Sequence, residues 1–461
     1  MSIGYWRASA AILLAGIAGC ATIPLEPGKA RVHELVQARS GAALPADAAQ
    51  VDQSVQALLR KPLQLPAAVQ IALLRNPTLQ LEFARLGIGA ADAFEASRLS
   101  NPGVNFAVLF PTSGASGNKL TAGATLGFSD LLLRPVRSRI AAREYQRTQE
   151  LVAASILDLA LDVQRAWFDC VGASQHAAVR RSISKSAQSA TELAARYHQA
   201  GNIDQVALQL QAAAASEARI ALTQADADAA EARVHLQSLL GLGATEVSWT
   251  VPESLPPPAM AAADPANLQT LALEQRLDLA AARDQVAAAE QQLSAAHRFR
   301  YLSPVDLGVA GEREADGSTR VGPSLSLKLP LFNQGQGAIA RAQAQLDSAR
   351  ATQKLLEARI GSEVQMQATR MRSAFEQAAA YHDGLIPQRE AVVARLQEQV
   401  NFMLTDTFNL LLAKQQEYGA YLGYVDTVQR YWQARVELSR AIGTRLPDDS
   451  TPIPQIPQVQ P

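Results

Sequence analysis

The stretch VNFAVLF at 104–110 and the segment LTAGATLGF at 120–128 show the most informative pattern in this chain. One face of the first segment carries Val104, Phe106, Val108 and Phe110. One face of the second carries Leu120, Ala122, Ala124, Leu126 and Phe128, and its other face carries Thr121, Gly123, Thr125 and Gly127. Because successive side chains of a strand point to opposite faces, this alternation predicts two strands, each with one apolar face. The stretch PTSGASGN at 111–118 predicts the loop between them.

A second hairpin of the same kind follows further along the chain. Its first run alternates Val305, Leu307 and Val309 with Asp306, Gly308 and Ala310. Its second run alternates Leu325, Leu327 and Leu329 with Ser324, Ser326 and Lys328. The stretch GEREADGSTR at 311–320 separates the runs. The sequence therefore predicts two more strands, at about 305–312 and 321–329.

The two hairpins belong to two tandem repeats. A shift of 202 residues places Asp204 on Asp406, Gly241 on Gly443, and Ala232-Arg233-Val234 on Ala434-Arg435-Val436. This ordered agreement predicts one repeat at 63–243 and another at 264–443. A Pro-rich linker at 244–263 joins them.

Alanine-rich polar tracts fill the rest of each repeat and predict long helices that pack closely side by side. Two breaks interrupt them, QAGNIDQ at 199–205 and FMLTDTF at 402–408. Gly201 and Asn202 favour a turn, and Asp204 or Thr405 favours a helix N-cap. A heptad pattern on the last helix predicts a packing seam of Tyr424, Val428, Tyr431, Arg435, Leu438 and Ile442.

The N-terminus reads MSIGYWRASAAILLAGIAGC, in which Arg7 precedes a short apolar run. The run is shorter than the about 20 apolar residues that cross a bilayer. A charged start, a short apolar stretch and small residues before a cut predict a signal peptide at 1–19. A buried N-terminal helix is the alternative, which Gly16 and Gly19 disfavour. We expect an extended lead-in at 20–62 and a disordered or loosely draped tail at 444–461.

The sequence contains no catalytic, metal-binding or nucleic-acid-binding pattern. Its six histidines are scattered, its two cysteines form no Cys-x-x-Cys motif, and its five methionines do not cluster. The GQG run at 335–337 lacks the strand and the acidic partner of a dinucleotide site. A net charge of −1 gives no basic surface for nucleic acid. We therefore expect no enzyme activity, no metal and no cofactor, and we expect Cys170 to be a small buried apolar group.

The strands allow two interpretations. Four amphipathic strands can cover the core of a soluble domain, or they can contribute to an outer-membrane barrel with apolar residues outward and polar residues inward. The helices around the hairpins show no apolar stripe that remains to cover a sheet, which favours the barrel. Because the smallest such barrels have about 8 strands, several chains would have to contribute.

This order of features resembles the TolC-like outer-membrane efflux proteins, with the N-terminus of an outer-membrane factor lipoprotein. The resemblance covers about 63–443, and its most specific stretches are AVQIALLRNPTL at 68–79, RLDLAAARDQVAAAEQQLSAAHRFRYLSPVDLGV at 276–309 and GPSLSLKLPLFNQGQGAIARAQAQL at 322–346. It implies an α+β membrane protein that is a homotrimer. Four strands from each protomer complete a 12-stranded outer-membrane β-barrel, and a long periplasmic α-helical barrel continues it.

The resemblance also implies a function. The protein would be a passive exit channel of a tripartite efflux system in a Gram-negative outer membrane. Its partners would be a periplasmic adaptor protein, an inner-membrane pump and outer-membrane lipid. The cargo would be small molecules or ions, with heavy-metal cations as the narrower alternative. A non-conducting, lipid-anchored coiled-coil scaffold is the alternative from another class, but it leaves the four amphipathic strands unexplained.

Candidate site residues follow from the same resemblance. Ile17-Ala18-Gly19-Cys20 resembles a lipobox, which implies cleavage before Cys20 and a covalent lipid, palmitate among its acyl groups, on that residue. The two breaks imply periplasmic tips, with adaptor contacts at Gly201, Asn202, Leu404 and Thr405.

The entrance gate has three candidates, which are Asp204, Asp406 and Asn409. Many members carry two acidic residues, three positions apart, just after the second tip. Asp406 matches the first of these, while Asn409 stands where the second acid often lies. Helix N-capping is the alternative role for both acids.

Overall fold

The computed structural model of the chain describes residues 26–41, 51–110, 112, 117–243, 249–259, 264–314 and 316–446. The expected signal peptide, the lipid site Cys20 and most of the expected tail lie outside these residues. No helix within them is both long and apolar enough to cross a membrane.

The first part of the chain contains two helices and then the first set of repeat elements. In chain order these are α1 Glu26–Ser40, α2 Val51–Leu59, α3 Leu65–Arg75, α4 Pro77–Ala96, β1 Gly103–Leu109, β2 Lys119–Gly127, α5 Phe128–Gln199 and α6 Gln205–Leu239.

The second part repeats this order from α3 onward. Its elements are α7 Pro265–Gln275, α8 Leu277–Arg298, β3 Val305–Arg313, β4 Thr319–Leu327, α9 Gln336–Ala379, a π-helix at Ala380–Leu385, α10 Ile386–Asn401 and α11 Thr407–Ile442. The π-helix has no counterpart in the first repeat, where α5 is continuous.

The lead-in differs from the extended segment that we expect from the sequence. Its described residues form α1 and α2 instead. Helix α1 buries Val32, Leu35 and Val36, which recur at helical spacing. This apolar face explains why the segment folds as a helix.

The strands form one antiparallel sheet in the order β1-β2-β3-β4. Strands β1 and β2 begin and end one residue earlier than the sequence predicts, and β4 begins and ends two residues earlier. The register explains the shift of β4, because Val305, the first residue of β3, lies opposite Leu327. Residues beyond Leu327 therefore have no partner on β3.

The chain divides into two compact units. Within the described residues, the first unit contains 26–31, 84–149 and 284–349, and it includes the whole sheet. The second unit contains 32–83, 150–283 and 350–446, and it includes both predicted helical breaks.

The core of the second unit gathers apolar residues from α7, α9 and α11. Leu268, Ile360, Val364, Tyr431 and Leu438 belong to one buried cluster. Of the heptad seam that the sequence predicts on α11, all members except the half-buried Tyr424 are buried. This face of the helix therefore serves packing.

Candidate functional site

The sheet aligns the apolar faces of all four strands. The register places Ala124 opposite both Val104 and Val309, and Val309 opposite Pro323. The exposed fractions of Val104, Phe106 and Val321 on this face are 81%, 66% and 71%. The same face carries Val104, Phe106, Val108, Leu120, Ala122, Ala124, Leu126, Val305, Leu307, Val309, Val321, Leu325 and Leu327. A continuous exposed apolar surface of this kind marks a membrane or protein contact.

The opposite face of the sheet is polar. It carries Asn105, Lys119, Thr121, Thr125, Asp306, Glu312, Arg320, Ser324 and Ser326. Lys119 forms ion pairs with Glu312 and Glu314. Since Lys119 lies on β2 and Glu312 on β3, this pair joins the hairpins of the two repeats.

Both edges of the sheet are open within the chain. Strand β1 pairs only with β2, and β4 pairs only with β3, among the strands that the structure describes. Unpaired edges readily accept a further strand. The sheet can therefore be extended on both sides by other strands.

The first helical turn, at 200–204, joins α5 to α6. Gly201 has a φ of +76°, a left-handed conformation that glycine adopts without a steric cost. The N–H of Asn202 donates to the carbonyl of Tyr197 at 2.9 Å, which ends α5 in a Schellman-type cap.

The second turn, at 402–406, has the same backbone design between α10 and α11. The N–H of Leu404 donates to the carbonyl of Gln399 at 2.8 Å. Met403 takes the left-handed position with a φ of 57°, and it is the only residue other than glycine with positive φ in the described chain. For a residue with a Cβ this conformation costs about 1–2 kcal/mol.

Each turn ends in an aspartate that caps the following helix. The carboxylate of Asp204 accepts from the N–H of Ala207 at 2.8 Å, and that of Asp406 accepts from the N–H of Phe408 at 3.2 Å. The N-cap of α11 is therefore Asp406, as the alternative role of this acid predicts, and not Thr405. Both carboxylates therefore have a structural role as helix caps.

The surfaces of the two turns differ strongly. Phe402, Met403 and Leu404 of the second turn have exposed fractions of 75%, 94% and 76%. The first turn exposes Gly201 and Asn202, so it has no comparable apolar surface. The second turn is therefore the more strongly apolar of the two.

The two turns are neighbours in the second unit. The rings of Tyr197 and Phe408 pack edge to face with their centroids 6.3 Å apart. Asn409, the third gate candidate, donates from its amide to the Thr405 hydroxyl at 3.3 Å. The structure thus brings the predicted tip residues to one part of this unit.

The described residues contain no group of three or more His, Cys, Asp or Glu side chains that could hold a metal ion. Cys170 lies on α5 and is buried. Burial raises the pKa of its thiol to about 11, so the thiolate is scarce at neutral pH. This residue packs as a small apolar group.

Comparisons with known proteins give matches at the level of structure. No family model and no curated protein matches the sequence. A membrane protein from Pseudomonas aeruginosa aligns with a TM-score of 0.71 at 18% identity, over 82% of this chain and 92% of that one.

Two structures described as outer-membrane channels are also similar. The Campylobacter jejuni channel CmeC aligns with a TM-score of 0.71 at 13% identity, over 83% of this chain and 86% of that one. The open state of the Neisseria gonorrhoeae channel MtrE aligns with a TM-score of 0.67 at 15% identity, over 83% and 89%. Together with the sheet and the paired helical turns, these likenesses show that the chain has the fold of the TolC-like outer-membrane efflux channels.

Proposed function

We propose that this protein is the passive outer-membrane exit channel of a tripartite efflux system. Three copies would each supply a four-stranded sheet, closing a 12-stranded β-barrel that a periplasmic α-helical barrel continues. The observation that carries this proposal is the sheet itself, with its exposed apolar face, its polar face and its two open edges. A closed barrel turns the apolar face to lipid, turns the polar face to water and removes both edges.

The proposed partners are a periplasmic adaptor and an inner-membrane pump, which supplies the energy. The adaptor contacts the turns through Gly201, Asn202, Leu404 and Thr405. The apolar surface around Leu404 supports this assignment, because exposed apolar patches mark protein contacts. Asp204, Asp406 and Asn409 would line or hold the entrance.

The proposed cargo is small molecules or ions, with heavy-metal cations as the narrower candidate. An exit duct does not have to bind its cargo tightly, so the lining need not contain metal ligands. The pump that works with this protein therefore sets the cargo.

Cys20 would carry the lipid anchor, with palmitate among its acyl groups, at the periplasmic side of a Gram-negative outer membrane. In this scheme the barrel supplies the main hold on the membrane, and the lipid helps delivery. Cys20→Ser should lower the amount of protein in the outer membrane more than the conductance of each delivered trimer. Correctly delivered Cys20→Ser chains that form no trimer would contradict this ranking.

Conductance across a planar bilayer tests the proposed channel. The purified protein should form trimers that carry ions, if necessary after adaptor is added to open the entrance. Phe106→Arg, on the apolar face, should prevent insertion at a cost of about 2–4 kcal/mol. Asn105→Arg, one position away on the polar face, should insert and alter the current. Inserted trimers that never conduct, with adaptor or without it, would favour the non-conducting scaffold.

A further inference from the structure

The second unit contains a cavity that is lined by both repeats. Its walls come from α5 of the first repeat and from α9 and α11 of the second. Its volume is about 700 Å³, which lies within the range of sites that hold a ligand. The larger apolar side chains of the lining include Leu157, Leu161, Trp167, Phe168, Met366 and Trp432. We call this cavity the aromatic groove.

The three aromatic rings of the groove form one stack. Trp167 and Phe168 pack edge to face with their centroids 5.1 Å apart, and Phe168 and Trp432 stack at 4.7 Å. The indole N–H of Trp167 donates to the carbonyl of Leu63 at 2.7 Å. The rings therefore offer mainly apolar surface to whatever occupies the groove.

The Pro-rich linker already packs against this surface. The indole N–H of Trp432 donates to the carbonyl of Pro256 at 2.9 Å, and the Tyr431 hydroxyl donates to the carbonyl of Ala259. Pro256 itself lines the groove. Aromatic grooves that hold proline-rich segments combine apolar ring contacts with such hydrogen bonds. The linker thus shows that this surface accepts an extended, proline-rich backbone.

The C-terminal tail begins beside the groove. Thr444 and Arg445 line it, and both bind the carbonyl of Arg39, at 3.2 Å from the Thr444 hydroxyl and 3.3 Å from the Arg445 N–H. Leu446, the next residue, is buried. Residues 447–461 lie outside the part of the chain that the structure describes, but their starting point is fixed at the groove.

The sequence of the tail has a period of three. In its last stretch, TPIPQIPQVQP, Ile453, Ile456 and Val459 recur at every third position. Gln455 and Gln458 keep the same spacing. Because a polyproline II helix has three residues per turn, the aliphatic residues would share one face and the glutamines another. The prolines favour this conformation, since each fixes its own φ and biases the residue before it toward extended backbone.

The charges of the groove and of the tail are complementary. The lining contains six arginines and four carboxylates. They are Arg39, Arg276, Arg359, Arg435, Arg440 and Arg445, with Asp158, Asp278, Glu363 and Glu437. The tail enters with Asp448 and Asp449 and contains no lysine or arginine. Opposite charges of this kind favour docking in one orientation.

We propose that residues 452–459 dock in the aromatic groove of their own chain as a polyproline II segment. Ile453, Ile456 and Val459 would lie against the apolar lining, and Gln455 and Gln458 would face water. The docked tail would hold α5 of the first repeat to α9 and α11 of the second. This contact goes beyond the proposed channel and does not depend on conductance.

Spin labels on the tail of the full-length protein test the contact. A nitroxide on Ile456→Cys should give an immobilised electron paramagnetic resonance spectrum, because this position meets the groove. The same label on Gln455→Cys, one position away on the polar face, should stay mobile. Cys170 is buried, and the protein without an added cysteine gives the background signal. Equally mobile labels at both positions would overturn the proposal.

A substitution in the groove tests the docking site. Met366→Asp should release the label at position 456, because it places a charge in the apolar lining. Leu355→Asp is the matched control, since Leu355 lies on the same helix, is exposed and does not line the groove. A label that stays immobilised in Met366→Asp would show that another surface holds the tail, which would also overturn the proposal.

A disulfide test identifies which copy supplies the tail. Ile456→Cys and Met366→Cys in one chain should form a bond within that chain, so the protein should keep the mass of one chain on a denaturing, non-reducing gel. Dimers joined by this bond would assign the groove to the tail of a neighbouring copy and contradict the contact proposed here. A mobile tail on a conducting protein would overturn the contact and leave the proposed channel intact.

Discussion

The two helical turns have one backbone design and two different surfaces. Gly201 and Met403 occupy the same left-handed position, 202 residues apart, and each is followed by an aspartate N-cap. The first turn uses glycine and stays small and polar. The second exposes Met403 between two other apolar residues in spite of the strain. The repeat has thus kept its backbone while one copy gained an apolar surface, which points to contact with another molecule.

The connectors between the short helices of each repeat show the same divergence. Asn76, between α3 and α4, donates to the carbonyl of Leu239 at 2.7 Å. Arg276, between α7 and α8, donates to the carbonyl of Ala441 at 3.3 Å. These carbonyls are 202 positions apart and belong to the last turns of α6 and α11. The two side chains therefore fasten equivalent helix ends with different chemistry.

Arg276 does more than Asn76, because it also binds two carboxylates. Its guanidinium donates to Asp278 at 2.6 Å and to Glu363 at 2.8 Å. Burial lowers the pKa of Arg276, but these two partners outweigh it and raise the pKa overall. The cluster ties α9 to the connector and to the end of α11.

Arg276→Ala should have the largest effect on stability among the predictions. It removes a guanidinium that two part-buried carboxylates share and leaves Glu363 with Arg359 alone, so the free energy of unfolding should fall by about 2–4 kcal/mol. Asn76→Ala should cost about 1 kcal/mol, because a neutral hydrogen bond is lost. Denaturant unfolding of both variants in the same detergent gives the comparison. Equal losses would show that the ion pairs of Arg276 add nothing.

The same cluster should make stability depend on pH. Burial raises the pKa of Glu363, but hydrogen bonds from Arg276 and Arg359 outweigh it and hold the pKa below its usual value of 4.5. A lowered folded-state pKa stabilises the protein above the unfolded-state pKa, and this stability is lost as the pH falls through the folded-state value. Glu363→Gln should therefore flatten the loss of stability below about pH 4.5. If Glu363→Gln leaves the loss of stability at low pH unchanged, other carboxylates cause that loss.

Variants of the N-cap residues Asp204 and Asp406 can distinguish helix capping from control of the entrance. Asp204→Ala and Asp406→Ala should each lower the free energy of unfolding by about 1 kcal/mol. Asp406→Asn keeps a good cap and removes only the charge, so its stability should be unchanged. If Asp406 helps to control the entrance, the asparagine variant should change ion selectivity or conductance in single-channel recordings. Unchanged recordings would show that Asp406 only caps the helix.

The smallest effect is expected from exchanging the left-handed residues of the turns. Met403→Gly should raise the free energy of unfolding by about 0.5–1 kcal/mol, because relief of the left-handed strain exceeds the entropy cost of glycine. Gly201→Ala should lower it by about 1 kcal/mol. If the apolar turn binds the adaptor, Met403→Gly should also weaken that binding while Gly201→Ala changes it less. Stabilisation without weaker binding would assign the docking to other residues.

Local sequence patterns predicted much of the fold. Alternation gave the strands within two residues, since the two-residue period is a property of each strand alone. The helical breaks at 199–205 and 402–408 contain the observed turns, because Gly201 and the capping aspartates mark them. The same shift that aligned Asp204 with Asp406 also placed Met403 on Gly201, so the left-handed methionine had a signal in the sequence.

Other features depend on distant contacts and could not be predicted from local patterns. The lead-in folds as helices because Val32, Leu35 and Val36 are buried by distant parts of the chain. The role of Arg276 requires Glu363, which lies 87 residues away in the chain. The exposure of Val206, Ile220 and Val234 on α6 also depends on distant packing, because only the folded chain determines which apolar residues stay uncovered.

In the proposed channel, the apolar face of the sheet meets lipid and the polar face meets water. A cysteine scan along β1 in the assembled protein, from Val104 to Leu109, distinguishes the two faces. A water-soluble thiol reagent should modify cysteines at 105, 107 and 109 quickly, and those at 104, 106 and 108 slowly. A lipid-soluble quencher should show the opposite preference. Equal reaction at neighbouring positions, or fast aqueous reaction at Phe106→Cys, would contradict a membrane-spanning barrel.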